Sequence, residues 1–186
     1  MRNFVPCIIP DGESGKYKVH TEGGVKCLDK IHICFGRQTC IIDENLQVAG
    51  GQYNDFLQDA TGKVLFIGMG LNLIAQSLEG LPGIVSMDCV EIEPDIVTLC
   101  SGTLYNNVYT SDVLTWAPPV GIKWDTIIVD CFNSKGRKGK TYRQQGELTP
   151  IDQVNADYGQ DRQAVIDLMT PLLETGGNVY AYRIPD

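Results

Sequence analysis

KVLFIGMGLNLIAQSLEGLPGIVSMDCVE, residues 63–91, decides the fold. Its opening run, Val64, Leu65, Phe66 and Ile67, is apolar and rich in β-formers, and predicts a strand buried on both faces. Gly68-Met69-Gly70 follows at once. Leu71, Ile74, Ala75 and Leu78 then recur at helical spacing, and the glycines at 80 and 83 break that helix. A second strand over 84–92 carries Glu91 near its end. The order is strand, glycine turn, helix, strand, acid. Glycines at the turn let the backbone approach a ligand, and a helix N-terminus offers amide groups. The acid stands about 20 residues past the glycines, where a ribose hydroxyl needs an acceptor.

The full dinucleotide fingerprint has a third glycine where this chain has Leu73, which argues against NAD or FAD. A site for a nucleoside with an amino-acid tail, such as S-adenosylmethionine (SAM), holds no pyrophosphate and tolerates the change.

The rest of the α/β pattern extends from this stretch in both directions. Pro94 and Asp95 open a helix whose apolar face is Ile96, Leu99, Cys100 and Leu104. Short strands are expected at 108–110 and 124–129, followed by Asp112 and Asp130 respectively. A helix over 157–173 and a fifth strand over 178–184 complete the pattern, with Gly176-Gly177 between them as a stop. Alternating strands and helices imply a parallel sheet with right-handed crossovers. Ligands bind such sheets at the carboxyl ends of the strands. Those ends deliver Gly68 and Gly70, Glu91, Asp112 and Asp130 to one rim, a more specific signal than any of the motifs alone. The alternative reading of Asp112 is a cap on the segment 113–116.

Upstream, residues 1–50 read as a β-rich appendage, with strands at 4–9, 17–21, 31–35 and 39–43. Residues 51–186 read as the nucleoside-binding core, entered through a short helix in which Tyr53, Phe56 and Leu57 share a face. The segment 133–156 reads as a long loop carrying Lys135, Arg137, Lys138, Lys140 and Arg143 in an otherwise acidic chain. Loops of that length are commonly functional.

Bulk properties narrow the function. The 186 residues suffice for one domain with a real core. A formal net charge of −8 disfavours nonspecific nucleic-acid binding. No apolar run approaches the ~18 residues of a membrane span, and residues 1–10 lack the apolar core and cleavage site of a signal peptide. Seven cysteines, an odd number without a C-x-x-C pair, fit a reduced, cytoplasmic setting. His20 and His32 have no cysteine partner at ligand spacing, so no metal site is expected.

On these motifs the chain resembles class I SAM-dependent transferases, and among them the spermidine synthases. Residues 64–70 resemble the family's first glycine motif. Val90-Glu91-Ile92-Glu93 is similar to its Cys/Val-Glu-Ile-Asp motif, and Ser111-Asp112-Val113 to its Gly-Asp-Ala motif. Residues 125–130 resemble its Tyr-Asp-x-Ile-x-x-Asp strand. Upstream, residues 42–47 are similar to its Leu-Asp-Gly-x-x-Gln, and Tyr53-Asn54-Asp55 to the Tyr-His-Glu that follows.

The resemblance implies a Rossmann-like, doubly wound, mostly parallel sheet lacking the last two strands of that fold, with a small N-terminal antiparallel appendage used in oligomerisation. It implies a cofactor, SAM or decarboxylated SAM, held by Gly68, Gly70, Glu91 through the ribose, Asp112 through the adenine amino group, and Gln47. It implies a small-molecule acceptor near Tyr53 and Asn133, receiving an aminopropyl or methyl group beside Asp130. The glycine turn departs from the family's Gly-Gly-Gly-Asp-Gly, the spacing from Gln47 to Tyr53 is short, and Asn133 stands near a family aspartate proposed as general base. An amide cannot take a proton from an ammonium, so a catalytically inactive assembly or regulatory module is the alternative reading. The fifth strand is expected at a sheet edge, and edges are rarely left bare. A homodimer is the expected assembly.

Overall fold

The computed structural model describes residues 5–32, 37–43, 51–131 and 162–181. Four strands, β1 (Gly12–Ser14), β2 (Tyr17–Glu22), β3 (Val25–His32) and β4 (Arg37–Asp43), form an antiparallel sheet in sequential order. The helix α1 (Gly51–Asp59) leads into the α/β part. There β5 (Gly62–Ile67), α2 (Leu73–Leu78), β6 (Ile84–Glu91), α3 (Pro94–Cys100), β7 (Asn107–Thr110), β8 (Trp124–Val129), α4 (162–169) and β9 (Leu173–Ala181) follow in turn.

The second sheet has five parallel strands in the order β7-β6-β5-β8-β9. The chain winds outward from β5 to β7, crosses back to β8 and continues to β9. This is a Rossmann-like, doubly wound sheet with its switch point between β5 and β8. The central run of β5 explains how both faces are covered. Val64 and Phe66 point to a cluster containing Phe56, Leu57, Ile74, Leu78 and Ile96, from α1, α2 and α3. Leu65 and Ile67 point the other way, to Val165 and Met169 of α4 and to Ile127 and Val129. A strand with helices on both sides needs apolar residues at every position.

The antiparallel sheet packs on α3. Tyr17, Val19 and Leu28 join the same buried cluster as Phe66 and Ile96. At its margin Ser14 donates to Asp95 Oδ1 at 3.0 Å, and Lys16 pairs with Glu93 at 2.9 Å. Burial and the Glu93 carboxylate beside it push the Tyr17 hydroxyl pKa up.

Three expected elements take a different form. Residues 5–9 are no strand. Their amides are satisfied by side chains instead: Val5 donates to Ser77 Oγ at 3.0 Å and Ile8 to Gln76 Oε1 at 2.8 Å. The segment thereby lies against α2, all six of whose residues are buried. The helix expected over 157–173 is helical at 162–169 and ends in a 3-10 turn, Thr170–Leu172, around Pro171; residues 157–161 lie outside the described residues. Gly176-Gly177, expected to precede the last strand, lies inside β9. The pairing of β8 with β9 shifts register there. A Cβ on Gly177 would sit 2.7 Å from the Asp125 carbonyl oxygen, so only glycine fits. The 133–156 loop lies outside the described residues. Among the described residues no helix is long and apolar enough to cross a membrane.

Candidate functional site

The carboxyl ends of β5, β6, β7 and β8 are joined by backbone bonds that run one residue past the strands. Gly68 N–H donates to Val90 O at 2.8 Å, Asp130 N–H to Ile67 O at 2.8 Å, and Ser111 N–H to Glu91 O at 3.0 Å. Gly68, Glu91, Ser111 and Asp130 are therefore fixed relative to one another. Asp112 follows Ser111 directly.

The glycine turn passes very close to β8. Gly68 has φ 92° and Gly70 φ 50°. A Cβ on Gly68 would lie 2.4 Å from the Asp130 carbonyl oxygen, well inside van der Waals contact. The position thus requires glycine both for its backbone angle and for the approach.

Glu91, 6% exposed, sits at the end of β6. Its Oε2 accepts the Met69 N–H and its Oε1 the Glu93 N–H, each at 2.9 Å. Burial raises its pKa above the ordinary 4.5, while the amides that donate to it pull in the opposite direction. A carboxylate has about four acceptor positions. The Ile92 amide also acts on it, so about one acceptor position is left over among the described contacts.

Asp112 is half-buried, and its Oδ1 accepts the Leu114 N–H at 3.1 Å. It caps its own turn. Asp130 is also half-buried. With Gly68, Met69, Asn72 and Tyr105 it lines a small pocket beneath the glycine turn. The field here is negative. Burial pushes the neighbouring Cys131 thiol up to about 12, and Asp130, Glu91 and Asp112 all push it the same way.

Of the residues singled out in the sequence, Gly68, Gly70, Glu91, Asp112 and Asp130 share this rim. Gln47 and Asn133 lie outside the described residues. For Tyr53 the backbone alone, in α1, is described. Among the described residues no three His, Cys, Asp or Glu side chains are grouped to hold a metal ion.

Sequence reasoning missed Asn72, Cys89 and Tyr105, which support the turn from beneath. One signal was available: asparagine is the commonest non-glycine residue to take a left-handed angle, and Asn72 directly precedes α2 with φ 57°.

No family profile and no curated protein matches the chain. Several solved structures are similar to it at low identity. The amino pentose methyltransferase CalS10 from Micromonospora echinaspora, solved with SAM bound, is 15% identical, covers 76% of this chain and 50% of its own, and gives a TM-score of 0.44. The N-methyltransferase NodS from Bradyrhizobium japonicum is 16% identical, with 73% of this chain and 67% of its own covered and a TM-score of 0.46. DesVI from Streptomyces venezuelae is 13% identical, with 75% and 55% covered and a TM-score of 0.48. The chain spans half the length of CalS10 and little more than half that of DesVI.

Proposed function

We propose that the chain is a SAM-type transferase that moves a methyl or aminopropyl group to a small acceptor. The observation that carries this reading is the negative rim at the switch point, where the glycine turn, Glu91, Asp112 and Asp130 stand at four adjoining strand ends. A sulfonium nucleoside is cationic and suits such a rim, whereas a pyrophosphate does not. Leu73, fully buried, stands where a dinucleotide site has its third glycine.

The residues fit a nucleoside. The close approach of Gly68 to β8 leaves the turn without side-chain bulk there, and Glu91 keeps an acceptor position for a ribose hydroxyl. Asp112 is proposed as the contact for an adenine amino group. When bound, a sulfonium nucleoside supplies a carbon activated by a good leaving group. The protein's own share is then to orient and desolvate the acceptor. Asp130, at the end of β8, stands beside the acceptor's path and stabilises positive charge on an amine as it approaches. Gln47 is proposed as a further cofactor contact, and Tyr53 and Asn133 as acceptor contacts.

Calorimetry with SAM, decarboxylated SAM and methylthioadenosine tests the reading. Tighter binding of SAM points to methyl transfer, and tighter binding of decarboxylated SAM to aminopropyl transfer. Absence of binding by all three at millimolar concentration overturns it.

A second reading, a catalytically inactive module with this fold, is favoured by Asn133, an amide where the aminopropyltransferases place a carboxylate. Product formation that Asp130→Ala abolishes excludes it.

A further inference from the structure

Three polar groups under the glycine turn play no part in the reading above. The Tyr105 hydroxyl donates to Asn72 Oδ1. The Tyr105 ring meets Phe66 of β5 edge-on, with centroids 5.7 Å apart and planes at 70°. Asn72 Nδ2 donates to the carbonyl oxygen of Cys100, the last residue of α3. Cys89, in β6, turns its thiol toward the Gly68 carbonyl oxygen at 4.0 Å and also meets the Tyr105 hydroxyl.

Asn72 is unusual in two ways. Among the described residues it is the one non-glycine with a positive φ, and it is only 3% exposed. It also occupies the N-cap of α2 without capping it. An N-cap asparagine ordinarily accepts an amide of the first turn. Here the side chain is turned away, to Tyr105 on one side and α3 on the other. A glycine would take the same backbone angle with less strain. What glycine lacks is the two buried hydrogen bonds. Asn72 ties residue 72 of the turn to the phenol by a hydrogen bond, and Cys89 packs between the phenol and the Gly68 carbonyl oxygen at the turn's other end. Between residues 68 and 72 lies Met69, whose amide holds Glu91.

We propose that Tyr105 is a positioning residue of the nucleoside site: through Asn72 and Cys89 it fixes the turn at 68–72 so that the Met69 amide stays aimed at Glu91. Two glycines make the turn soft, and the tether restores rigidity without adding bulk on the ligand side. Its bearing on binding rests on the nucleoside reading; the tether itself does not.

Tyr105→Phe removes the hydroxyl and keeps the ring against Phe66. Asn72→Gly keeps the backbone angle and removes both side-chain bonds, so one variant backs up the other if either folds poorly. Hydrogen exchange of the Met69 amide reads the tether, with the Ile127 amide in β8 as reference. We expect Met69 exchange to rise about tenfold relative to Ile127 in both variants, with affinity for S-adenosylhomocysteine falling by a similar factor. Unchanged exchange at Met69, or an equal rise at Ile127, overturns the tether. Faster exchange with unchanged affinity, in a wild type that binds, overturns its role in binding. A wild type that binds no nucleoside overturns the functional reading, while the exchange ratio still decides whether the tether exists.

Discussion

Glu91 Oε2 lies 2.9 Å from the Met69 amide nitrogen, so the acid that ends β6 is bonded to the turn that ends β5 across 22 residues of sequence. The bond places one carboxylate under two demands. It must hold the turn, and in the proposed function it must hold a ribose.

Burial and hydrogen bonding act on this carboxylate in opposite senses. Burial favours its neutral form, whereas the amides it accepts and, in the proposed function, ribose hydroxyls favour the charged form. Burial raises the Glu91 pKa above 4.5, so the folded protein binds this proton more tightly than the unfolded chain. The group's contribution to folding is therefore fully present below 4.5 and is lost as pH rises through the folded pKa. Ribose hydroxyls donate to the charged form, so nucleoside affinity should rise over the same interval. Thermal midpoints and calorimetric affinities measured across that interval check both slopes. Glu91→Gln should flatten both.

Gly68→Ala should be severe. The new Cβ would meet the Asp130 carbonyl oxygen at 2.4 Å, at a backbone angle of +92° that side chains rarely adopt. Strain and overpacking together should remove roughly 2–4 kcal/mol of stability. Denaturant unfolding of the variant measures it, and a loss under ~1 kcal/mol would mean that the turn moves away from β8.

Asp112→Ala removes a turn cap, with a loss of about 1 kcal/mol in the ligand-free protein. If the adenine amino group is also its partner, affinity falls by a further ~1–3 kcal/mol. Asp112→Asn keeps the cap and should restore most of the stability. Equal affinity in all three proteins would remove Asp112 from the site and leave it as a cap.

Trp124→Phe provides a control away from the rim. Trp124 Nε1 donates to Asp88 Oδ2 and Asn107 Nδ2 to Asp88 Oδ1, each at 2.9 Å, which satisfies a carboxylate only 6% exposed. Loss of the indole donor leaves a buried oxygen unpaired, at about 1–3 kcal/mol. Stability should fall with nucleoside affinity unchanged.

Assembly offers a last test. β9 ends the parallel sheet, and no described strand pairs with its outer edge. The antiparallel sheet lies on α3 instead. An edge of this kind invites pairing with a second copy. Light scattering at micromolar concentration should give a dimer, and a monodisperse monomer would exclude the pairing.

The sheet was legible because the carboxyl-terminal runs of β5 and β8, residues 64–67 and 127–129, are buried and apolar throughout. Their runs and the glycine or acid after each are local signals, and β8 falls at 124–129 as the residues predict. Signals that depend on a distant partner were not legible. The apolar segment at 5–9 reads as a strand, yet its amides meet the side chains of Gln76 and Ser77, a match no local pattern reveals. Gly176-Gly177 reads as a stop because glycines usually end helices. Its actual cause is the passing Asp125 carbonyl, which only the register of β8 and β9 brings near. At the rim, strand-end acids could be named from sequence. The tether could not, since Asn72 and Tyr105 stand 33 residues apart and neither belongs to a motif.

The packing of the antiparallel sheet against α3 also bears on how the chain is made. Val5 bonds to a residue 72 positions later, Lys16 to one 77 later and Ser14 to one 81 later. A ribosome adding about 5–20 residues per second leaves the first strands waiting roughly 4–16 s for these partners. The antiparallel sheet is thus completed only after β6 and α3 have emerged. Until then Tyr17, Val19 and Leu28 lack the part of their buried cluster that α3 supplies, and nascent chains are most vulnerable to association during that interval.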